Sequence, residues 1–124
     1  MKYLLDTHIF IWWLEADKRL NQNLRRIIDN PNNIKFISVA TFWEIVIKVH
    51  AKKLILKTPV RNILKNFEFE VLNIDLPHIL KLERLPDYHK DPFDRMLIAQ
   101  AITEDLTIIT ADEKLKKYKI RVLY

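Results

Sequence analysis

Apolar and polar positions along this chain fall into short blocks whose period changes from one block to the next. Tyr3-Leu4-Leu5 is a short apolar strand that stops at Asp6. Residues 7–14 and Asn21–Ile28 predict two short helices, and the Asn/Pro cluster at 30–33 breaks the chain. Ile34–Val39 reads as a second strand. Residues 41–53 predict a helix that is apolar over most of its circumference and then Lys-rich. Another helix starts near Pro59 and runs to about Asn66. Phe67, Phe69 and Val71 then alternate with Glu68 and Glu70, the two-residue period of a third strand. A helix near 77–84, a polar loop over Pro86–Lys90 and an amphipathic helix over 92–104 follow. Leu106–Thr110 and Ile120–Leu123 supply a fourth and a short fifth strand.

Strands that alternate with helices predict one three-layer α/β domain over residues 1–124, with a mainly parallel sheet. Sites in such sheets form beyond the carboxyl ends of the strands. Asp6 and Asp112 both occupy that kind of position.

Composition narrows the chemistry. The chain has no cysteine, which excludes disulfides, Cys-ligated zinc and thiol catalysis. It has no glycine either, which excludes the Gly-rich phosphate loops of Rossmann and P-loop proteins. Tight turns must then come from Asn, Asp and Pro. The formal charge of +5 suits an anionic partner such as nucleic acid, although solubility alone also accounts for it. The apolar run Ile9–Leu14 is far too short to span a membrane, and an acid at position 6 comes too early for a signal peptide. A cytoplasmic protein is expected.

Four acids stand out against this basic background: Asp6, Glu44, Asp94 and Asp112. Each ends a strand-like run or lies inside an apolar helical run, where a carboxylate is costly without a partner. Each also has a plain structural alternative. Asp6 and Asp112 fit helix caps, and Thr41-x-x-Glu44 fits a capping box. Asp91-Pro92 fits an N-cap followed by a first-turn proline, which puts Asp94 in a first turn where the helix dipole favours an anion. Two features favour a site. Asp94 shares a helical face with Leu97, Ile98 and Ala101, and Glu44 is enclosed by Phe42, Trp43, Ile45, Val46 and Ile47. Acids on buried faces need a cation or a proton.

The chain resembles the PIN-domain ribonuclease toxins of the VapC type. The likeness is carried by Leu4-Leu5-Asp6-Thr7-His8, by Ser38 through Glu44, by Asp91-Pro92-Phe93-Asp94-Arg95-Met96-Leu97-Ile98-Ala99-Gln100-Ala101 and by Thr110-Ala111-Asp112. Ile98 departs from the alanine of many relatives, at a packing position. The resemblance implies a parallel sheet of order 3-2-1-4-5 and a catalytic set of Asp6, Glu44, Asp94 and Asp112, with Thr110 assisting beside the last acid. It also implies bound magnesium or manganese, a cognate antitoxin that blocks the acidic pocket, and a homodimer.

Oxygen ligands suit Mg²⁺ or Mn²⁺, and the histidines at 8, 50, 78 and 89 show no zinc-ligand spacing. Asp6 and Asp94 are expected to contact the metal, with Glu44 and Asp112 acting through water. The expected reaction is attack of metal-activated water on an RNA phosphodiester. Arg95 is expected to contact phosphate or a neighbouring acid. Lys48, Lys52, Lys53 and Lys57, with Lys114, Lys116, Lys117, Lys119 and Arg121 of the tail, fit a phosphate guide or a solvated face. His8, Trp12 and Trp13 fit either core or site wall. An apolar surplus near Trp12, Trp13, Phe42 and Trp43 fits either a dimer interface or core.

Besides a binding protein that keeps the fold but has lost catalysis, which the intact acidic set disfavours, two other functions compete. One is an RNA-processing nuclease of the same fold outside any toxin–antitoxin pair. The other is a receiver-like signalling module, which needs two acids after its first strand, an acceptor such as Asp75 and a late Lys.

Overall fold

The computed structural model describes residues 1–63 and 68–124. β1 (Lys2–Leu5) is the central strand, and its apolar run is buried on both faces: Tyr3 and Leu5 enter one core cluster, Leu4 the other. β4 (Thr107–Ile109) alternates in the same way, with Ile109 on the first face and Ile108 on the second. β2 (Ile34–Ser38) lies on the other side of β1, followed outward by β3 (Glu70–Leu72), and β5 (Val122–Leu123) closes the far edge. The order is β3-β2-β1-β4-β5 and every pairing is parallel. The expected sheet order therefore holds. It also removes the receiver reading, because receiver domains use the order 2-1-3-4-5.

α1 (Thr7–Leu14) and α2 (Gln22–Asp29) cover one face through Ile9, Phe10, Leu24 and Ile28. α6 (Pro92–Glu104) covers the other through Leu97, Ile98 and Ala101. α3 (Val39–His50) reaches both clusters, with Ile45 in the first and Ala40 in the second. α4 (Val60–Ile63) and α5 (Leu76–Leu82) complete the helices, and a 3-10 turn spans Glu113–Lys117. The predicted helix end at Asn66 and strand start at Phe67 lie outside the described residues.

Several boundaries differ from expectation for local reasons. α3 starts at Val39 because the Ser38 hydroxyl accepts the Ala40 N–H, 3.0 Å. Thr41 is therefore not a cap, and its hydroxyl instead meets that of Thr7 at 3.1 Å. α3 ends at His50 because Lys52 turns left-handed, φ 59°, and the Lys53 N–H reaches back to the Lys48 carbonyl, 2.9 Å. Ala16 (φ 52°) and Asp105 (φ 54°) close α1 and α6 in the same manner. Glycine normally fills such positions, so a chain without glycine carries backbone strain at three helix ends. The Trp12, Trp13 and Phe42 side chains pack against the first core cluster, leaving Trp43, 60 % exposed, as the open ring of that group.

Candidate active site

The register of β1 against β4 builds the site. Leu5 stands opposite Ile109, so Asp6 and Thr110 leave the carboxyl edge of the sheet side by side. The Thr110 hydroxyl donates to Asp6 Oδ2, and the same oxygen of Thr110 accepts the Asp112 N–H at 3.0 Å. Asp6 Oδ1 caps α1 by accepting the Ile9 N–H, 2.9 Å, and Asp112 Oδ1 caps the 3-10 turn by accepting the Lys114 N–H, 2.9 Å. Capping and site residue thus coincide at both positions. Asp91 is the N-cap of α6, accepting from Phe93 and Asp94 at 2.8 and 3.0 Å, which leaves the Asp94 carboxylate free to turn towards the sheet edge.

Asp6, Asp94 and Asp112 line one cleft of about 310 Å³, with His8 and Trp12 on its wall and Leu97, Ile108 and Leu115 among its apolar lining. Trp12 is therefore both core-packed and site wall. Glu44 lies behind, 3 % exposed, with Oε2 held by Lys48 Nζ at 2.5 Å and Oε1 buried without a hydrogen-bond partner. It acts on Asp94 through charge.

The electrostatics follow from this crowding. Burial, then the negative charges of Asp91, Glu44 and Asp6, push the Asp94 carboxyl from its ordinary 3.8 up to about 6. Burial also raises Asp6, outweighing its bonds from Thr110 and Ile9. Asp112 goes the other way: burial opposes its charge, but the hydrogen bonds from His89 and the Lys114 N–H hold it below the usual value. His89 is the site residue that sequence reasoning missed. It is 8 % exposed, its Nε2 stands 2.7 Å from Asp112 Oδ2, and its Nδ1 stands 3.0 Å from the Tyr118 hydroxyl. An ionised carboxylate only accepts, so Nε2 donates and Nδ1 accepts from Tyr118 when the ring is neutral.

The expectations for Arg95 and Lys48 meet the geometry in part: Arg95 does contact an acid, one of its two expected partners, but that acid is Asp87 rather than one of the cleft. Arg95 does not face the cleft. Its guanidinium bonds the carbonyls of Leu82, Leu85, Pro86 and His89 at 3.0–3.4 Å and pairs with Asp87 at 3.2 Å. It fastens the loop that carries His89 rather than a phosphate. Lys48 pairs with Glu44, so its charge has a partner inside the protein as well as the expected role of guiding RNA. Lys52 and Lys53 are exposed where α3 ends.

The donor set suits a hard divalent cation. It consists of oxygens, two of its carboxyls are raised by burial and by neighbouring carboxylates, and Glu44 offers a buried oxygen that no protein group satisfies. Among the described residues, no three acids or imidazoles are already drawn together as a ligand set. The acids therefore stand as a loose rim around the cleft rather than as a closed cage.

The PIN domain family pattern matches residues 3–120. This chain belongs to the PIN domain family. It is 24 % identical over 119 residues to ribonuclease VapC22 of Mycobacterium tuberculosis, covering 94 % of this chain and 91 % of that protein. Its fold matches VapBC2 from Rickettsia felis bound to a promoter DNA fragment, with TM-score 0.74, 20 % identity and coverage of 99 % and 98 %. It also matches a toxin–antitoxin complex from Klebsiella pneumoniae, with TM-score 0.67, 22 % identity and coverage of 98 % and 96 %.

Proposed function

We propose that this PIN-domain protein is a metal-dependent endoribonuclease of the VapC type, the toxin of a toxin–antitoxin pair. The observation that carries the reading is the convergence of Asp6, Asp94 and Asp112 on one cleft at the carboxyl edge of the sheet in a protein of net charge +5. The likeness to a VapC ribonuclease over most of both chains supports RNA as the substrate.

Asp6 and Asp94 are the residues assigned to hold Mg²⁺ or Mn²⁺, with Glu44 and Asp112 acting through water. A bound divalent cation makes water more acidic and offsets charge on phosphoryl oxygens. The protein's own groups prepare the ground. Thr110 fixes Asp6, His89 fixes Asp112, and Leu97, Ile108 and Leu115 limit water in the cleft. Hydrolysis forms a P–O bond to the water oxygen, breaks the P–O bond to a ribose oxygen and leaves the proton on that oxygen.

The partner reading rests on the solved neighbours, which include toxin–antitoxin assemblies. An antitoxin that covers the acids with a basic side chain suits the rim of negative charge. A second copy of this chain suits the exposed apolar side chains Trp43, Val46 and Ile47 of α3 and Leu76, Ile79 and Leu80 of α5. Action in the cytoplasm is part of the proposal; among the described residues no helix is long and apolar enough to cross a membrane. The test is incubation of purified protein with total RNA, with Mg²⁺, Mn²⁺ or EDTA. New RNA ends that need the metal support the reading, and intact RNA under every condition refutes it.

A further inference from the structure

We propose that a second cleft, between the C-terminal end of α5 and the segment 117–119, binds single-stranded RNA beside the scissile phosphodiester, taking phosphate on its cations and a base on Tyr88. The proposal deepens the nuclease reading and rests on it.

The cleft measures about 410 Å³ and is walled by Lys81, Arg84, Tyr88, Lys117, Tyr118 and Lys119. Four of its side chains are cationic and none is acidic. Among the described residues, none of those four cations is in an ion pair, whereas Lys48, Arg95 and Arg121 each are. Their charge is therefore available to an external anion. The lining comes mostly from residues 81–88, then from residues 117–119, with Ile102 of α6 completing it, so only the fold brings the cations together.

The aromatic wall points to a nucleotide rather than to an acidic peptide. Tyr88 is 47 % exposed, and its ring stands edge-on to Tyr118, centroids 4.9 Å apart, which fixes its orientation. Lys117 Nζ lies 5.9 Å from its centroid. A half-open ring among cations is the arrangement that stacks a base and neutralises its phosphate.

The second cleft also answers a difficulty of the first. Without a bound cation the acid cleft presents three carboxylates and neither Lys nor Arg, so it repels a polyanion. Affinity for RNA must come from ground beside it. Two hydrogen bonds link the clefts: Tyr118 lines the basic one, its hydroxyl meets His89, and His89 meets Asp112 of the acidic one.

The test uses the full chain and a fluorescently labelled single-stranded RNA oligonucleotide in EDTA, with cleavage measured separately in Mn²⁺. Lys81→Ala with Arg84→Ala is expected to weaken binding about tenfold. It should also make the slope of log affinity against log salt shallower by about 1.4, about 0.7 for each phosphate that is no longer neutralised. Tyr88→Leu is expected to weaken binding about tenfold and leave the salt slope as it is, because stacking is the part removed. In both variants the cleavage loss should fall in KM rather than kcat, with circular dichroism matching the parent. If the parent cleaves RNA and neither variant changes KM or salt slope, the subsite is overturned and the nuclease reading stands. If the parent neither binds nor cleaves RNA, both fall. Polyglutamate that competes as well as RNA of equal charge marks a protein partner and also overturns the subsite.

Discussion

His89 Nε2 donates to Asp112 Oδ2 across 2.7 Å, while Nδ1 of the same ring is taken by the Tyr118 hydroxyl. The acid at the cleft mouth is thus held from behind by a buried ring. Removing such a partner of a site carboxylate commonly costs ten- to a hundredfold in activity. His89→Ala should lower kcat by about that range with little change in KM. His89→Gln, whose amide N–H can still donate, should recover part of the loss. Steady-state cleavage of a fixed RNA substrate distinguishes the three proteins.

Arg95 acts one step further back. Its four carbonyl bonds need the planar fork of a guanidinium, which a lysine cannot reproduce. Arg95→Lys should destabilise the fold by about 2 kcal/mol. The weaker anchorage of the His89 loop should also lower kcat. Urea denaturation reads the first effect and cleavage kinetics the second. A variant as stable as the parent would show that the carbonyl bonds contribute nothing net.

The raised carboxyl of Asp94 sets a pH dependence. In the unfolded chain Asp94 titrates near 3.8 and in the fold near 6, so between these values the folded state binds more protons. Stability of the metal-free protein should therefore fall as pH rises through that window. Asp94→Asn should flatten the fall and be more stable than the parent at pH 7 in EDTA. Added Mn²⁺ should stabilise the parent at pH 7 and the variant much less. Thermal melts at pH 4.5 and 7, with and without Mn²⁺, check all three.

Strain at the helix ends is open to relief. Ala16→Gly removes the Cβ from a left-handed position at φ 52° without touching the cleft. It should stabilise the protein by about 1 kcal/mol. Lys52→Gly should do the same at the end of α3. Loss of stability in both would mean that the extra freedom of glycine in the unfolded chain outweighs the strain.

Much of this site could be read from the sequence, and the remainder was hidden for identifiable reasons. Asp6, Asp94 and Asp112 were legible because each sits where a strand ends or a helix begins, and parallel topology gathers such positions at one edge. The sheet order came from the resemblance carried by the block around Asp94, not from periodicity. Glu44 was recognised as buried, but the Thr41-x-x-Glu44 match suggested a cap that Ser38 in fact provides. The spacing from Glu44 to Lys48 is a helical ion-pair spacing, yet the basic run that follows made Lys48 resemble a phosphate guide. Arg95 follows Asp94 directly, and adjacent helical residues do not share a face, so it points to α5 instead. His89 left no trace, because its partners lie 23 and 29 residues away in the chain and no periodicity links a polar loop to a 3-10 turn.

Manganese titration of the pure protein by calorimetry tests the central claim most directly. The parent should bind Mn²⁺ with saturable heat, and Asp6→Asn and Asp94→Asn should each abolish it while keeping the parent's circular dichroism. Binding that is absent in the parent, or unchanged in both variants, would contradict an acidic cleft built to take a divalent ion.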